Sequence, residues 1–374
     1  MLDRRSLLAA FPLLAALPAR AFADAPITAA ISLNDERVLI DAKLNGQGPF
    51  PFVVDTGSIV SGVRLDVAER LGLKKLRDVR LNENKSFPLF AVDELVLGGA
   101  VRQPNASMFG LAGDTLGGEG LIAAGMLTSF DSELDLERGQ WRVFPQGAPD
   151  RPGYTRLTSR FEQRGLGSSR IVADVALDGA NIRTIVDTGM PWVLTLPHKR
   201  GRELGLWSDA TPYAPVRLKG IAGQGKSLAR LVRAKSLRIG EAVYDAPLIT
   251  VRPPDASGED AVLGLRVLRS LNLAIDARSA SLWVKRNTIS PQTPYYSRAG
   301  LWIDETEGKV AVREVGAGSP AAKAGVSPGD VFEGVTTLGD ALARLRGDAG
   351  KPVSLALLRK GQRIETGFTL ADYL

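Results

Sequence analysis

The stretch Phe52-Val53-Val54-Asp55-Thr56-Gly57-Ser58 recurs later in the chain as Thr184-Ile185-Val186-Asp187-Thr188-Gly189-Met190. Two apolar runs each deliver an Asp-Thr-Gly turn, and the matching extends well beyond the tripeptide. Val38-Leu39-Ile40-Asp41-Ala42-Lys43-Leu44-Asn45-Gly46 precedes the first copy, and Ile171-Val172-Ala173-Asp174-Val175-Ala176-Leu177-Asp178-Gly179 precedes the second. Each reads as a strand ending in an Asn-Gly or Asp-Gly hairpin turn. Ala68-Glu69-Arg70-Leu71-Gly72-Leu73 and Arg202-Glu203-Leu204-Gly205-Leu206 follow as short helices closed by glycine. Leu95-Val96-Leu97-Gly98 then matches Leu237-Arg238-Ile239-Gly240. The apolar stretch Gly120 to Leu127 is echoed by Ala261 to Leu268, and Glu133-Leu134-Asp135-Leu136 by Leu273-Ala274-Ile275-Asp276. So many matched features in one order mark an internal duplication. The chain is therefore constrained to a doubled fold that gives Asp55 and Asp187 equivalent places.

The duplicated part is bounded on both sides. Residues 1–23 read as a secretory signal, with Arg4 and Arg5 at the start and an apolar run from Leu7 to Leu17 too short to span a bilayer. Ala21-Phe22-Ala23 supplies the small-x-small cleavage pattern. The paired arginines are also compatible with twin-arginine export. The sequence has no cysteine, which excludes a disulfide and a lipoprotein anchor. With no later run of membrane-spanning length, a soluble periplasmic or secreted protein is expected. Its net charge of +6 is scattered rather than blocked, so no nucleic-acid-binding stripe is present. The proline- and glycine-rich stretch Pro145 to Gly153 divides a first lobe (24–150) from a second (151–286), and 287–299 forms another linker. Residues 300–374 change pattern and form a separate small domain.

A single Asp-Thr-Gly is adequately explained as a turn, because Asp accepts local backbone hydrogen bonds and Gly supplies a positive φ. Two copies behind buried-type strands are different, since placing an acid behind an apolar strand is costly. If the two lobes pack about a pseudo-twofold axis, the carboxylates share a site and cannot both ionise easily. A water between them can then lose a proton to one while the other donates to a carbonyl oxygen, which is metal-free hydrolysis of an amide. The pair titrates as a unit. In this reading Thr56 and Thr188 fix the loops across the axis, Gly57 and Gly189 admit backbone N–H groups to the carboxylates, and Ser58 donates to the outer oxygen of Asp55. The single histidine, His198, and the absent cysteines make a zinc site improbable. No Gly-x-Ser-x-Gly elbow supports serine catalysis, and no cofactor or metal is expected. Trp192 lines either the cleft or the core.

On these residues, from about Val38 to Val284, the chain resembles the retropepsin-like and pepsin-like aspartic proteases in their two-lobed, single-chain bacterial form. The resemblance implies a mainly β fold with two β-barrel lobes in a pepsin-like bilobal arrangement. It implies endopeptidase activity on a polypeptide held in an extended cleft under a hairpin flap. Catalysis would fall to Asp55 and Asp187, supported by Thr56, Gly57, Ser58, Thr188 and Gly189. A monomer is expected because both aspartates lie in one chain. The sequence departs from the family at Met190, where Ser or Thr is usual, and at Ala123, where glycine is. It departs again at Gly125 and Arg266, which stand where an acid is common. The stretch Lys74 to Phe90 offers a flap hairpin with Phe87 or Phe90 in place of a tyrosine, and Lys219 to Gly225 offers its counterpart in the second lobe.

Residues 300–374 resemble a PDZ domain of the bacterial periplasmic-protease type, a small β-barrel with helices. The resemblance rests on Gly318-Ser319-Pro320-Ala321-Ala322, Gly325-Val326 and Pro328-Gly329-Asp330. It implies a groove that adds a peptide or C-terminus to a sheet edge, with Leu301, Trp302 and Ile303 receiving it. Thr337 is a fitting N-cap for a helix over Leu338 to Leu345. The expected whole is an exported aspartic endopeptidase with a peptide-binding tail. The alternative is a non-catalytic peptide-binding scaffold that keeps the barrels.

Overall fold

The hairpin turns expected at Asn45-Gly46 and Asp178-Gly179 both form, with φ of 50° and 79° in the first and 50° and 82° in the second. Positive φ at both central residues is the type I′ geometry that suits the twist of flanking strands. The structure is a computed structural model that describes residues 25–34, 36–82, 85–113, 117–163, 165, 167–220, 223–224, 227–256 and 258–374. The expected signal segment, 1–23, lies outside the described residues. Among the described residues strands hold 48% and helices 10%, so the fold is mainly β. No described helix is long and apolar enough to cross a membrane. The chain divides into two units, one running to Ile171 with Leu271–Asn287 added, the other comprising Val172–Ser270 and Thr288–Leu374.

The first unit carries a closed six-stranded barrel. Its ring runs through Val38–Leu44, Gln47–Asp55, Gly120–Ala123, Gly62–Arg64, Val101–Leu111 and Lys85–Leu97, and closes where Ala42 meets Leu97. Alternation makes the barrel: in Val38–Leu44 every second side chain is buried, so one face fills the interior. The strand Gln47–Asp55 instead ends in four consecutive buried residues, Phe52 to Asp55, as a strand covered on both faces must. The hairpin expected in the first lobe pairs Lys75–Asn82 with Lys85–Leu97.

A six-stranded antiparallel sheet continues from the barrel. In order it runs Thr155–Arg156, Ser281–Arg286, Leu271–Asp276, Ser132–Asp135, Gln140–Val143 and Ile27–Leu33. The two strands that close the repeats therefore lie side by side, with Leu134 opposite Leu273. Asp135, wholly buried here, is satisfied by Arg138 and Arg142 at 2.9 Å each and by the Asn272 amide at 2.9 Å. A charge can be buried at this place because donors surround it.

The second unit repeats the barrel with two of its strands broken. The long first-lobe strands Lys85–Leu97 and Val101–Leu111 are answered by two broken ones, Ala229–Arg233 with Ser236–Ile239 and Ala242–Asp245 with Leu248–Val251. The breaks are stitched by Ala234 N–H to the Pro247 carbonyl at 3.0 Å and Ala246 N–H to that of Lys235 at 2.8 Å. A short hairpin, Lys219–Gly220 with Gly223–Gln224, forms in the glycine-rich stretch.

The tail is an antiparallel sheet of five strands in the order Leu301–Thr306, Lys309–Val315, Val331–Phe332, Pro352–Arg359 and Gln362–Thr369, with helices Pro320–Lys323 and Leu338–Leu345. Ser319 and Thr337 cap these helices through their side chains. Its core includes Leu301, Ile303, Val312, Phe332, Leu355 and Leu357. The tail packs on the barrel of its own unit through Tyr213, whose amide donates to Ala317 O (3.2 Å) and whose hydroxyl donates to Val315 O (3.2 Å). Tyr373 donates back to Tyr213 O at 3.0 Å. Arg217 stacks on Trp302 and lies 3.5 Å from Asp304, while Tyr296 and Tyr373 cover the apolar cluster around Ala214 and Leu231.

Trp141, on Gln140–Val143, is among the largest fully buried side chains. Trp141→Ala is expected to destabilise the protein by about 3–5 kcal/mol, measurable as a shift of the urea midpoint with the slope unchanged.

Candidate active site

The two Asp-Thr-Gly loops are built by the same device. In each barrel the aspartate strand pairs in parallel with the apolar strand of the later repeat element. Val53, Val54 and Asp55 lie beside Leu121, Ile122 and Ala123; Ile185, Val186 and Asp187 lie beside Val262, Leu263 and Gly264. This register makes Asp55 equivalent to Asp187 and Ala123 to Gly264. The chain after each aspartate turns back at once, with Ser58 N–H on Asp55 O (3.2 Å) and Met190 N–H on Asp187 O (3.4 Å).

The carboxylates are held by backbone donors. Asp55 Oδ1 accepts the amides of Gly57 (3.1 Å) and Ser58 (3.0 Å), and Oδ2 accepts the Ser58 hydroxyl at 3.0 Å. Asp187 Oδ1 accepts the Gly189 amide at 2.8 Å. Met190 has no side-chain O–H or N–H, so the bond that Ser58 makes to its aspartate has no hydroxyl counterpart at Met190. Thr56 and Thr188 are both buried. Within the first unit the fold thus brings together Asp55, Thr56, Gly57 and Ser58, and within the second Asp187, Thr188 and Gly189.

The departure at Ala123 has a local cause. A Cβ built on Gly264 would sit 2.2 Å from the Trp192 carbonyl oxygen and 2.7 Å from that of Met190, so this place admits glycine alone. There the Gly264 amide donates to the Val193 carbonyl at 2.9 Å. In the first lobe the equivalent amide, of Ala123, donates instead to the Ser61 hydroxyl at 3.1 Å. Reaching a side chain rather than a backbone carbonyl accompanies a buried Ala123 with room for its methyl. The role of Ser61 carries no signature in sequence, since its repeat partner is the apolar Val193.

The other sequence candidates fall into structural places. Phe90 is buried, and Phe87 packs on Phe109 with ring centroids 6.1 Å apart, so both belong to the barrel wall. The tip of that hairpin, 83–84, lies outside the described residues. Trp192 packs on the cluster around Ala214 and Leu231, a core placement. His198 starts the helix His198–Glu203 and meets Trp207 edge-on at 4.8 Å; burial, then Arg202 and Arg230, pull its pKa down. Among the described residues no three or more His, Asp or Glu side chains are grouped to hold a metal. In the tail, Leu301 and Ile303 point into the core, while Trp302 lies half-buried and donates Nε1–H to Asp304 at 2.9 Å.

A family profile described as aspartyl protease matches residues 40–123 and 173–267, the two barrels with both aspartates. No curated protein matches the chain. Among solved structures, a retropepsin-like aspartic protease from Rickettsia conorii is similar at 18% identity over 36% of this chain and 91% of that one, with a TM-score of 0.28. The profile match supports a hydrolase of the aspartic protease type.

The unequal loops give a directional expectation. Gly264→Ala is expected to cost about 1–3 kcal/mol as the Trp192 and Met190 carbonyls are pushed away, whereas Ala123→Gly should cost only about 0.5–1 kcal/mol. Thermal unfolding of the two variants measures the difference.

Proposed function

We propose that the protein is an aspartic endopeptidase in which Asp55 and Asp187 act as one dyad. The observation that carries this reading is the duplicated loop: two aspartates in identical parallel register, each with its carboxylate turned onto the amide of the glycine two residues on. Donors held in advance in this way fix a carboxylate's orientation before substrate arrives. In the reaction a water oxygen attacks the peptide carbonyl carbon and its proton passes to the ionised member of the dyad. The protonated member gives its proton to the carbonyl oxygen. Collapse of the tetrahedral adduct breaks the C–N bond as the leaving nitrogen is protonated. Because the pair titrates together, neither step belongs to one named aspartate.

The tail, in this reading, is a PDZ-type module that receives an extended peptide or C-terminus along Leu301–Thr306. This strand pairs within the sheet with Lys309–Val315 alone, and Glu305 on it accepts the Leu338 amide of the neighbouring helix at 2.9 Å. An edge strand beside a helix is the arrangement that strand addition uses. The N-terminal charge, apolar run and Ala21-Phe22-Ala23 support export to the periplasm or beyond. Met190 favours the second reading, a barrel scaffold that binds peptide without cutting it.

Purified protein incubated with casein from pH 3 to 8 decides between them. Wild type is expected to cleave, while Asp55→Asn and Asp187→Asn each lose activity by at least about 10³-fold. Equal silence of wild type and variants at every pH would favour the scaffold.

A further inference from the structure

The register that equates Asp55 with Asp187 also equates Ile59 with Pro191, four residues past each aspartate, and Gly125 with Arg266. In both lobes the carbonyl at that fourth position is held by a side chain, but by a different one. In the first lobe Ser168 holds Ile59 O twice, through its amide at 2.7 Å and its hydroxyl at 3.0 Å. The same hydroxyl accepts the Gly125 amide at 2.9 Å. One hydroxyl can donate once and accept as well, so Ser168 ties the Asp55 loop to the later apolar loop. In the second lobe Arg266 holds Pro191 O through Nε at 2.9 Å and reaches Thr293 O with Nη1 at 3.3 Å.

The residue at the equivalent later position explains the swap. A Cβ on Gly125 would lie 2.8 Å from the Ser168 Cβ, so a side chain there would displace the serine. Gly125 and Ser168 are thus a matched pair that does from a distant segment what Arg266 does from within its own loop. Both loops are otherwise tied alike, Ala124 N–H to Ser58 O (2.9 Å) and Leu265 N–H to Met190 O (2.7 Å).

We propose that Ser168 and Arg266 are positioning residues for the two aspartates, each fixing the loop whose amides hold its carboxylate by locking the carbonyl four residues on. The inference rests on the reading of Asp55 and Asp187 as catalytic, and assigns a role to the two places where the sequence lacks the family's usual acid. Loss of either brace lets the loop drift, and displacement on the order of 1 Å costs up to about a hundredfold in rate.

The test uses the full chain. Ser168→Ala removes the hydroxyl and keeps the amide bond to Ile59; Arg266→Met keeps the stem and removes the donors. Each is expected to lower kcat on casein-derived peptide by about ten- to a hundredfold, with KM within about twofold and an unaltered melting temperature. Ser168→Thr and Arg266→Lys, which restore a donor, are expected to recover most of the rate. Hydrogen–deuterium exchange supplies a readout that needs no turnover: faster exchange confined to 54–60 and 123–126 in Ser168→Ala, and to 186–191 and 264–267 in Arg266→Met. That pattern in the variants, beside a wild type that cuts no peptide, would sink the endopeptidase reading and leave the positioning role standing. Unchanged kcat with unchanged local exchange would overturn the proposal. So would a loss of rate that tracks a lowered melting temperature and is not recovered by Thr or Lys.

Discussion

Parallel pairing of each aspartate strand with a short apolar strand from later in the repeat is the constraint on which the site depends. The barrels are otherwise mostly antiparallel, and short turns join Val38–Leu44 to Gln47–Asp55 and Lys85–Leu97 to Val101–Leu111. Gln47–Asp55 and Gly120–Ala123 run the same way, so a long excursion of chain must leave and return between them. That excursion carries the hairpin and most of the barrel wall. Its end is spliced beside the aspartate, where the ladder stops and the Asp-Thr-Gly loop turns away. The carboxylate is therefore oriented by a short local turn, and the turn is anchored by residues about seventy positions distant in sequence in each lobe.

The symmetry of the two loops is one of backbone rather than of side chain. Equivalent amides and carbonyls are satisfied in both lobes, as buried backbone groups must be, yet the partners differ. Ser61 answers a backbone carbonyl at Val193, and Ser168 answers the guanidinium of Arg266. A duplicated chain that drifts in sequence can exchange these partners one at a time, provided each exchange leaves no polar group buried without a bond. Ala123 and Gly125 make sense as steps of this kind. One tolerates a methyl because its amide reaches a side chain, and the other lacks a side chain because a distant serine occupies the space.

What the sequence made legible was what repeats. The Asn45-Gly46 and Asp178-Gly179 turns and the aspartate loops were readable, because local chemistry and duplication agree at those positions, and the helices read over Ala68–Leu73 and Arg202–Leu206 exist but start earlier and end sooner, at Leu65–Arg70 and His198–Glu203, with glycine after each. The Thr337 cap was readable from local chemistry alone. Partnerships that join unrelated segments were not. Nothing near Ser168 marks it as a neighbour of Ile59 and Gly125, and nothing in Trp192 separates a cleft residue from one packed on Ala214 and Leu231. Phe87 and Phe90 looked available to a flap, yet aromatic residues beside an apolar barrel gain more from covering it.

The sheet that runs from Thr155–Arg156 to Ile27–Leu33 has a temporal meaning. Its inner strands, Ser132–Asp135 and Leu271–Asp276, are separated by the whole second barrel, and the wholly buried Asp135 finds its Asn272 partner only across that gap. As the chain emerges from the ribosome, the first barrel has all its strands early, but the edge of Ser132–Asp135 stays open until residue 276 has appeared. Long-range pairing of this kind is slow to form. For that interval an unpaired strand edge must be kept from other chains, so the nascent protein passes through a stage vulnerable to misassembly that the finished fold no longer shows.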